Sequence, residues 1–363
     1  MIRVGVVGLG KMGMSHLSIF RAHPQVELAG ICDPTGYLLG VLGKYTGIAT
    51  YSDLDSMLAA QKLDAVVIAT PSALHATMVR TALEHGLHVF CEKPFCLDPA
   101  DSDDLAALAQ NRGLVTQVGY HYRFVGAFRE IRRLLDAGAI GEVTLARAEA
   151  FGPVVLNPQG STWRSKKQLG GGSLYDYAAH PLNLLNWYLG APTGVAGTVL
   201  QPVFSVETDD QVAATLRFPS GASGQITVNW SDESERKMST KITLWGTQGR
   251  IHADRQEVQV YLREGAIVPE GYRRGWNVKY TTELTDEVWF YLRGEEYSAQ
   301  VDDFITRAGQ GRTDGVNSFA TAAVTDHTLA MMVADAAGET TGSVQAAVPR
   351  PTKRRGLRRL IGR

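Results

Sequence analysis

Ile2-Arg3-Val4-Gly5-Val6-Val7-Gly8-Leu9-Gly10-Lys11-Met12-Gly13 follows the initial methionine. An apolar run suited to a buried strand leads straight into three glycines. The next residues, Lys11–Ala22, place Met14, Leu17, Ile19 and Phe20 at near-helical spacing. Each glycine has its own physical use. Gly8 permits a tight turn out of the strand, Gly10 lets backbone approach a ligand without an intervening Cβ, and Gly13 lets the helix pack closely on the strand. The chain has 38 glycines in 363 residues, so the spacing alone arises by chance and its surroundings must decide. Val26–Cys32 reads as a second strand and runs into Asp33, 20 residues past Gly13. There an acid accepts hydrogen bonds from a ribose diol, while the helix N-terminus turns its free N–H groups toward phosphates. This order of elements predicts a dinucleotide site. Asp33 repels a 2′-phosphate and no base follows until Lys44, so NAD is favoured over NADP.

The alternation of apolar runs and helical patterns continues to about residue 120, as a parallel sheet covered by helices requires. Three stretches then fall beyond the carboxyl ends of strands, where such a sheet binds ligands. Ala69-Thr70-Pro71-Ser72-Ala73-Leu74-His75 supplies candidate cofactor contacts in Thr70, Pro71, Ser72 and His75, beside Gly8, Gly10, Lys11, Met12 and Asp33. Cys91-Glu92-Lys93-Pro94 places Glu92 and Lys93 next to the cofactor edge. Gly119-Tyr120-His121-Tyr122-Arg123-Phe124 adds His121 to the cofactor contacts and Arg123 to the substrate contacts.

After about residue 142 the pattern changes to period-two strands with hairpin signals, Val143–Phe151, Gln211–Phe218, Gly224–Trp230, Lys241–Trp245 and Val258–Leu262. An antiparallel sheet, and so a second domain, is expected. A helix over Ser173–Leu189 interrupts it, and its opening run Gly170-Gly171-Gly172-Ser173-Leu174-Tyr175-Asp176-Tyr177-Ala178-Ala179-His180 sets Asp176 and His180 four apart, on one helical face. That pair suits a metal site only with further ligands, and none is visible in the sequence. A general acid/base role for His180, with a pKa near working pH shaped by Lys93 and Asp176, fits better.

These motifs together resemble the glucose–fructose oxidoreductase / inositol dehydrogenase / MocA family of NAD(P)-dependent oxidoreductases, over almost the whole chain. The carriers are the glycine turn, Glu92-Lys93-Pro94, the Gly119–Phe124 stretch, Trp163-Arg164 and the Asp176…His180 helix. The resemblance implies an N-terminal Rossmann parallel sheet and a C-terminal open, mostly antiparallel sheet domain, an α/β plus α+β architecture. It implies Lys93, Asp176 and His180 as catalytic and substrate-binding residues, with Trp163 and Arg164 near the nicotinamide end. The family often carries Gly where this chain has Ala178, and an acid where it has Asn183.

Domains are expected at 1–122 for the dinucleotide and at 123–349 for substrate binding and oligomerisation. A basic tail follows at 350–363, with seven Lys or Arg and no acid, expected to be disordered. The remaining residues, 1–349, hold 29 basic against 37 acidic residues, and the net charge of −1 gives no field to draw nucleic acid or acidic membranes. No apolar run approaches the ~20 residues of a membrane span. Cys32, Cys91 and Cys96 are too few and wrongly spaced for a disulfide framework, which points to reduced thiols and the cytoplasm. The function expected is NAD-dependent oxidation of a secondary hydroxyl of a sugar, sugar derivative or cyclic polyol to a ketone, in a homodimer or homotetramer. Reduction of a keto sugar or nucleotide sugar, or a non-catalytic NAD-binding regulator, are the alternatives.

Overall fold

The computed structural model describes residues 1–156 and 162–339. Its first unit comprises β1 (Ile2–Val7), α1 (Lys11–Ala22), β2 (Val26–Cys32), α2 (Gly36–Thr46), β3 (Thr50–Tyr51), α3 (Leu54–Ala60), β4 (Ala65–Ile68), α4 (His75–Glu84), β5 (His88–Cys91), α5 (Pro99–Asn111) and β6 (Thr116–Val118). The strands form one parallel sheet in the order β3-β2-β1-β4-β5-β6. Helices cover both faces of such a sheet, so its strands are apolar on both sides; Val4, Val6 and all of Ala65–Ile68 are fully buried. The order reverses at β1, between β2 and β4, and a crevice opens there beyond the strand ends.

The chain continues through α6 (Gly126–Asp136), β7 (Val143–Phe151), α7 (Ala179–Leu189), β8 (Gly194–Gln201), β9 (Gln211–Arg217), β10 (Ser223–Asn229), β11 (Ser239–Gly246), β12 (Gly249–Ala253), β13 (Glu257–Leu262), β14 (Gly275–Tyr280), α8 (Thr281–Leu284), α9 (Glu295–Gln310) and α10 (Phe319–Ala336). Eight strands make the second sheet, β14-β13-β12-β11-β7-β10-β9-β8, antiparallel except where β10 lies parallel to β7. One face, with Ala146, Ala148, Ile242, Leu244 and Val260, is buried beneath α6 and α7.

The outer face of the second sheet is mixed. Arg147, Glu149 and Lys241 occupy the middle of its outer face, and exposed aromatic residues gather at the β13–β14 edge. The boundary at 122/123 separates the sheets but not the cores. Tyr297, Val301, Phe304 and Ile305 of α9 pack with Val4, Val6, Phe20 and Phe90 of the first unit. Val118 N–H donates to Asn317 O, and Arg307 donates to Gln117 Oε1, so β6 is fixed by residues almost 200 positions away. The tail at 350–363 lies outside the described residues.

Candidate active site

A cleft of about 690 Å³ runs along the carboxyl ends of β1, β4 and β5 and is closed on its far side by the start of α7. Its floor is the glycine turn. Gly8 adopts φ +87°, a left-handed backbone that favours glycine, and a Cβ on Gly13 would overlap the Gly8 carbonyl. Nothing lies within 4 Å of the position a Gly10 Cβ would take, so bare backbone faces the opening. Leu9 N–H donates to Asp33 Oδ2 at 2.7 Å and Thr35 N–H to Oδ1 at 2.9 Å. Burial raises the Asp33 pKa, but these donors outweigh it and hold the carboxyl below its ordinary value. An ionised acid is thus fixed at the rim, with lone pairs left for a diol.

Lys93 extends from the loop after β5 across to the second unit. Its ammonium donates to Asp176 Oδ1 and to the Asp176 backbone oxygen, each at 2.8 Å, which leaves one of its three N–H bonds for the cleft. Arg164 Nε donates to the other carboxylate oxygen at 2.8 Å, and its guanidinium lies over the Trp163 ring. Burial pushes the Asp176 pKa up; the two cations override it and hold the group at about 2. Asp176 sits in a π-helical turn, Leu174–Ala178, just ahead of α7. Such turns recur at functional sites.

His180, one residue into α7, is 4 % exposed and ringed by Tyr120, His121 and Tyr122, with centroids 6.2, 5.0 and 4.9 Å away. Its Nδ1 is buried and has no hydrogen-bond partner among the described residues. Burial first, then the charges of Lys93 and Arg255, hold its pKa well below 6.5. The expected pKa near working pH is therefore corrected: this imidazole is neutral throughout the physiological range. Arg255 is locked by an ion pair with Glu296 and stacks over Tyr122.

Glu92 completes the wall. It accepts from Lys93 N–H at 3.1 Å and pairs with His16 Nε2 of α1 at 2.6 Å. Gly8, Gly10, Lys11, Met12, Asp33, Thr70, Pro71, Ser72, Glu92, Lys93, His121, Trp163, Arg164, Asp176 and His180 all line the cleft. Two expected residues do not. His75 is wholly buried behind it and bonds the carbonyl oxygens of Thr70 and Pro94, so it braces two loops. Arg123 turns away to donate to Asn183 Oδ1 at 2.7 Å and to Val316 O. The neutral amide of Asn183, found where an acid is often present, is occupied as that arginine's partner. Sequence reasoning missed Tyr177, Arg293 and Tyr297, which also line the cleft. Tyr297 stacks on His121 with centroids 4.5 Å apart. No short motif marks either residue; Arg293 enters from the turn before α9 and Tyr297 from its first turn.

Among the described residues no group of His, Cys, Asp or Glu could hold a metal ion, and no helix is long and apolar enough to cross a membrane. Comparison with known proteins agrees with the geometry. Residues 2–120 match the family model described as an oxidoreductase family with an NAD-binding Rossmann fold, and residues 128–252 match the GFO/IDH/MocA C-terminal domain. The dTDP-3,4-didehydro-2,6-dideoxy-alpha-D-glucose 3-reductase of Streptomyces violaceoruber is 31% identical over 256 residues, 70% of this chain and 73% of that protein. The scyllo-inositol 2-dehydrogenase (NAD(+)) of Bacillus subtilis (strain 168) is 27% identical over 296 residues, 78% and 84% of the two chains. A levoglucosan dehydrogenase solved with NADH and levoglucosan shares the fold, with TM-score 0.82 at 24% identity over 93% of this chain and 98% of that one. With a glycine turn and ribose acid joined to a lysine–aspartate–histidine cluster across two sheets of this topology, the chain belongs to the GFO/IDH/MocA family and is an NAD-binding oxidoreductase.

Proposed function

We propose that the protein is a dehydrogenase that oxidises a secondary hydroxyl of a sugar, sugar derivative or cyclic polyol to a ketone, and that it works as a homodimer or homotetramer in the cytoplasm. The observation that carries this reading is the Lys93–Asp176–Arg164 ion cluster beside neutral His180, on the wall facing the glycine turn. The glycine turn and Asp33 fit a dinucleotide, with bare backbone for phosphates and an ionised acid for the diol. NAD, when bound, takes the hydride from the carbon that is oxidised. The chain's residues manage the proton and the geometry. His180 is in its base form because burial, Lys93 and Arg255 keep a proton off it, and it receives the hydroxyl proton. Lys93, held by two bonds to Asp176, directs its remaining N–H at the substrate oxygen and stabilises the negative charge that develops there. Asp176 keeps Lys93 charged and in place, and Arg164 keeps Asp176 ionised. In the opposite direction the same pair supplies the proton to a keto sugar, the direction named for the Streptomyces relative.

A panel of sugars, nucleotide sugars and inositols with NAD+, followed by NADH absorbance, tests the reading. Turnover with a polyhydroxylated substrate that falls about 10²–10⁴-fold in His180→Ala is expected. Turnover that His180→Ala and Lys93→Met leave unchanged would remove these residues from the chemistry.

A further inference from the structure

The charged side chains of the cleft are eight: Lys11, Asp33, Asp53, Glu92, Lys93, Arg164, Asp176 and Arg293. Six are satisfied within the protein. Lys93 and Arg164 share Asp176, Glu92 pairs with His16, Asp33 accepts two backbone N–H groups, and Asp53 caps α3 through Ser56 N–H. Lys11 and Arg293 are the two left over: no carboxylate pairs with either among the described residues. The Arg293 guanidinium lies 5.5 Å over the Tyr297 ring, which in turn stacks on His121.

The backbone sharpens the case for Arg293. It is the one non-glycine residue with positive φ, 70°, among the described residues. Left-handed backbone is unfavourable for a side chain of this kind, and glycine would adopt it freely. Strained residues of this sort gather where a side chain must be presented at one point. What presents it is α9, whose Val301, Phe304 and Ile305 are locked into the first core. Tyr297 reaches His121 and Asp302 reaches His23 at the end of α1, so α9 and α1 both begin at the cleft and run the same way. Arg293, from the segment entering α9, and Lys11, the first residue of α1, thus line the same cleft.

We infer that Arg293 is a dinucleotide-binding residue that faces Lys11 across the glycine turn and clamps the pyrophosphate, one cation for each of its two negative charges. The inference rests on the cofactor reading above and extends it. The Rossmann unit does not hold its cofactor alone; the segment entering α9 supplies the second charge. Preorganised charges on a rigid helix end bind an anion with little ordering cost.

Fluorescence titration of the full-length protein with NADH, with competition by ADP-ribose and by adenosine, tests it. Arg293→Met is expected to weaken NADH and ADP-ribose by about ten- to a hundredfold and to leave adenosine, which has no phosphate, unchanged. Arg293→Lys should recover part of the loss. Arg293→Gly separates binding from folding. It suits the left-handed backbone, so it should melt no lower than the wild type and still bind NADH as weakly as Arg293→Met. Unchanged NADH affinity in Arg293→Met overturns the inference, and if the substrate KM alone rises the arginine serves an anion on the substrate. Equal weakening of adenosine and ADP-ribose also overturns it, as loss of the cleft's shape. Failure of the wild type to bind NADH would instead overturn the cofactor reading, and this inference with it.

Discussion

His180 shows how position sets chemistry one residue at a time. Its pKa is low because burial disfavours charge and because Lys93 and Arg255 add two positive neighbours. Under the proposed mechanism oxidation needs the neutral ring, so kcat/KM should rise with pH through the histidine's ionisation and reach its plateau before pH 6.5. Arg255→Met removes one of those positive charges and frees the Glu296 carboxylate. Both changes favour the imidazolium, so the acid limb should move to higher pH. A wild-type limb centred near 6.5 or above that disappears in His180→Ala would show that the ring is not desolvated as the structure has it. Asp33 gives a second case. Tight-binding titrations should favour NADH over NADPH, and Asp33→Ala should narrow the gap by removing diol contacts and phosphate repulsion together; a wild-type preference for NADPH would refute the assignment. Lys93, Asp176 and His180 were legible because each stands in a short motif beside a strand end or helix start. Arg123 was misplaced because its stretch is right but its side chain is not: nothing in the sequence reveals that Asn183 and the Val316 carbonyl draw it inward.

Elements that pack on both sides were the most readable. β1, β2 and α1 match their sequence patterns residue for residue, since apolar runs bounded by Gly or Asp leave little choice. β8, β12 and β14 were missed. β8 carries Gly197 at positive φ where its register with β9 shifts, β12 is five residues long, and β14 is an edge strand with half its residues exposed. The join between α10 and the loop after β5 was likewise invisible, because no periodic pattern marks the two contacts that make it, Phe319 stacked on Phe95 and one buried carboxylate. Asp326 of α10 accepts from Cys96 N–H at 3.0 Å and Ser102 Oγ at 2.7 Å, while its Oδ1 and the Tyr120 hydroxyl have no hydrogen-bond partner among the described residues. Burial pushes its pKa up to about 7. In the unfolded chain the same carboxyl ionises near 3.9. Folding therefore retains a proton that the unfolded chain has lost, and stability drops as pH climbs from about 4 to about 7, by about 4 kcal/mol in all. Asp326→Asn cannot ionise. It should raise Tm at pH 8 and change it little at pH 4; equal shifts at both would mean that hydrogen bonding, and not ionisation, governs this site.

For the molecule as a whole, the proposed assembly is tested at the outer face of the second sheet. Leu145, Trp245, Arg250, Tyr261 and Trp276 form one cross-strand row from β7 to β14, with Tyr261 and Trp276 39% and 52% exposed. A row of this size open to water favours a second copy. Light scattering at micromolar concentration should give a dimer or tetramer, and Tyr261→Glu with Trp276→Glu should dissociate it; a wild-type monomer would contradict the proposal. The return of α9 to the first core has a consequence of another kind, in time instead of space. During translation, the apolar surface around Phe20 and Phe90 emerges long before the residues that cover it, Tyr297 to Ile305, about 200 positions later. Until then the nascent first unit carries an open hydrophobic face and an unfinished β6 edge, the kind of surface that is prone to aggregate and that chaperones cover.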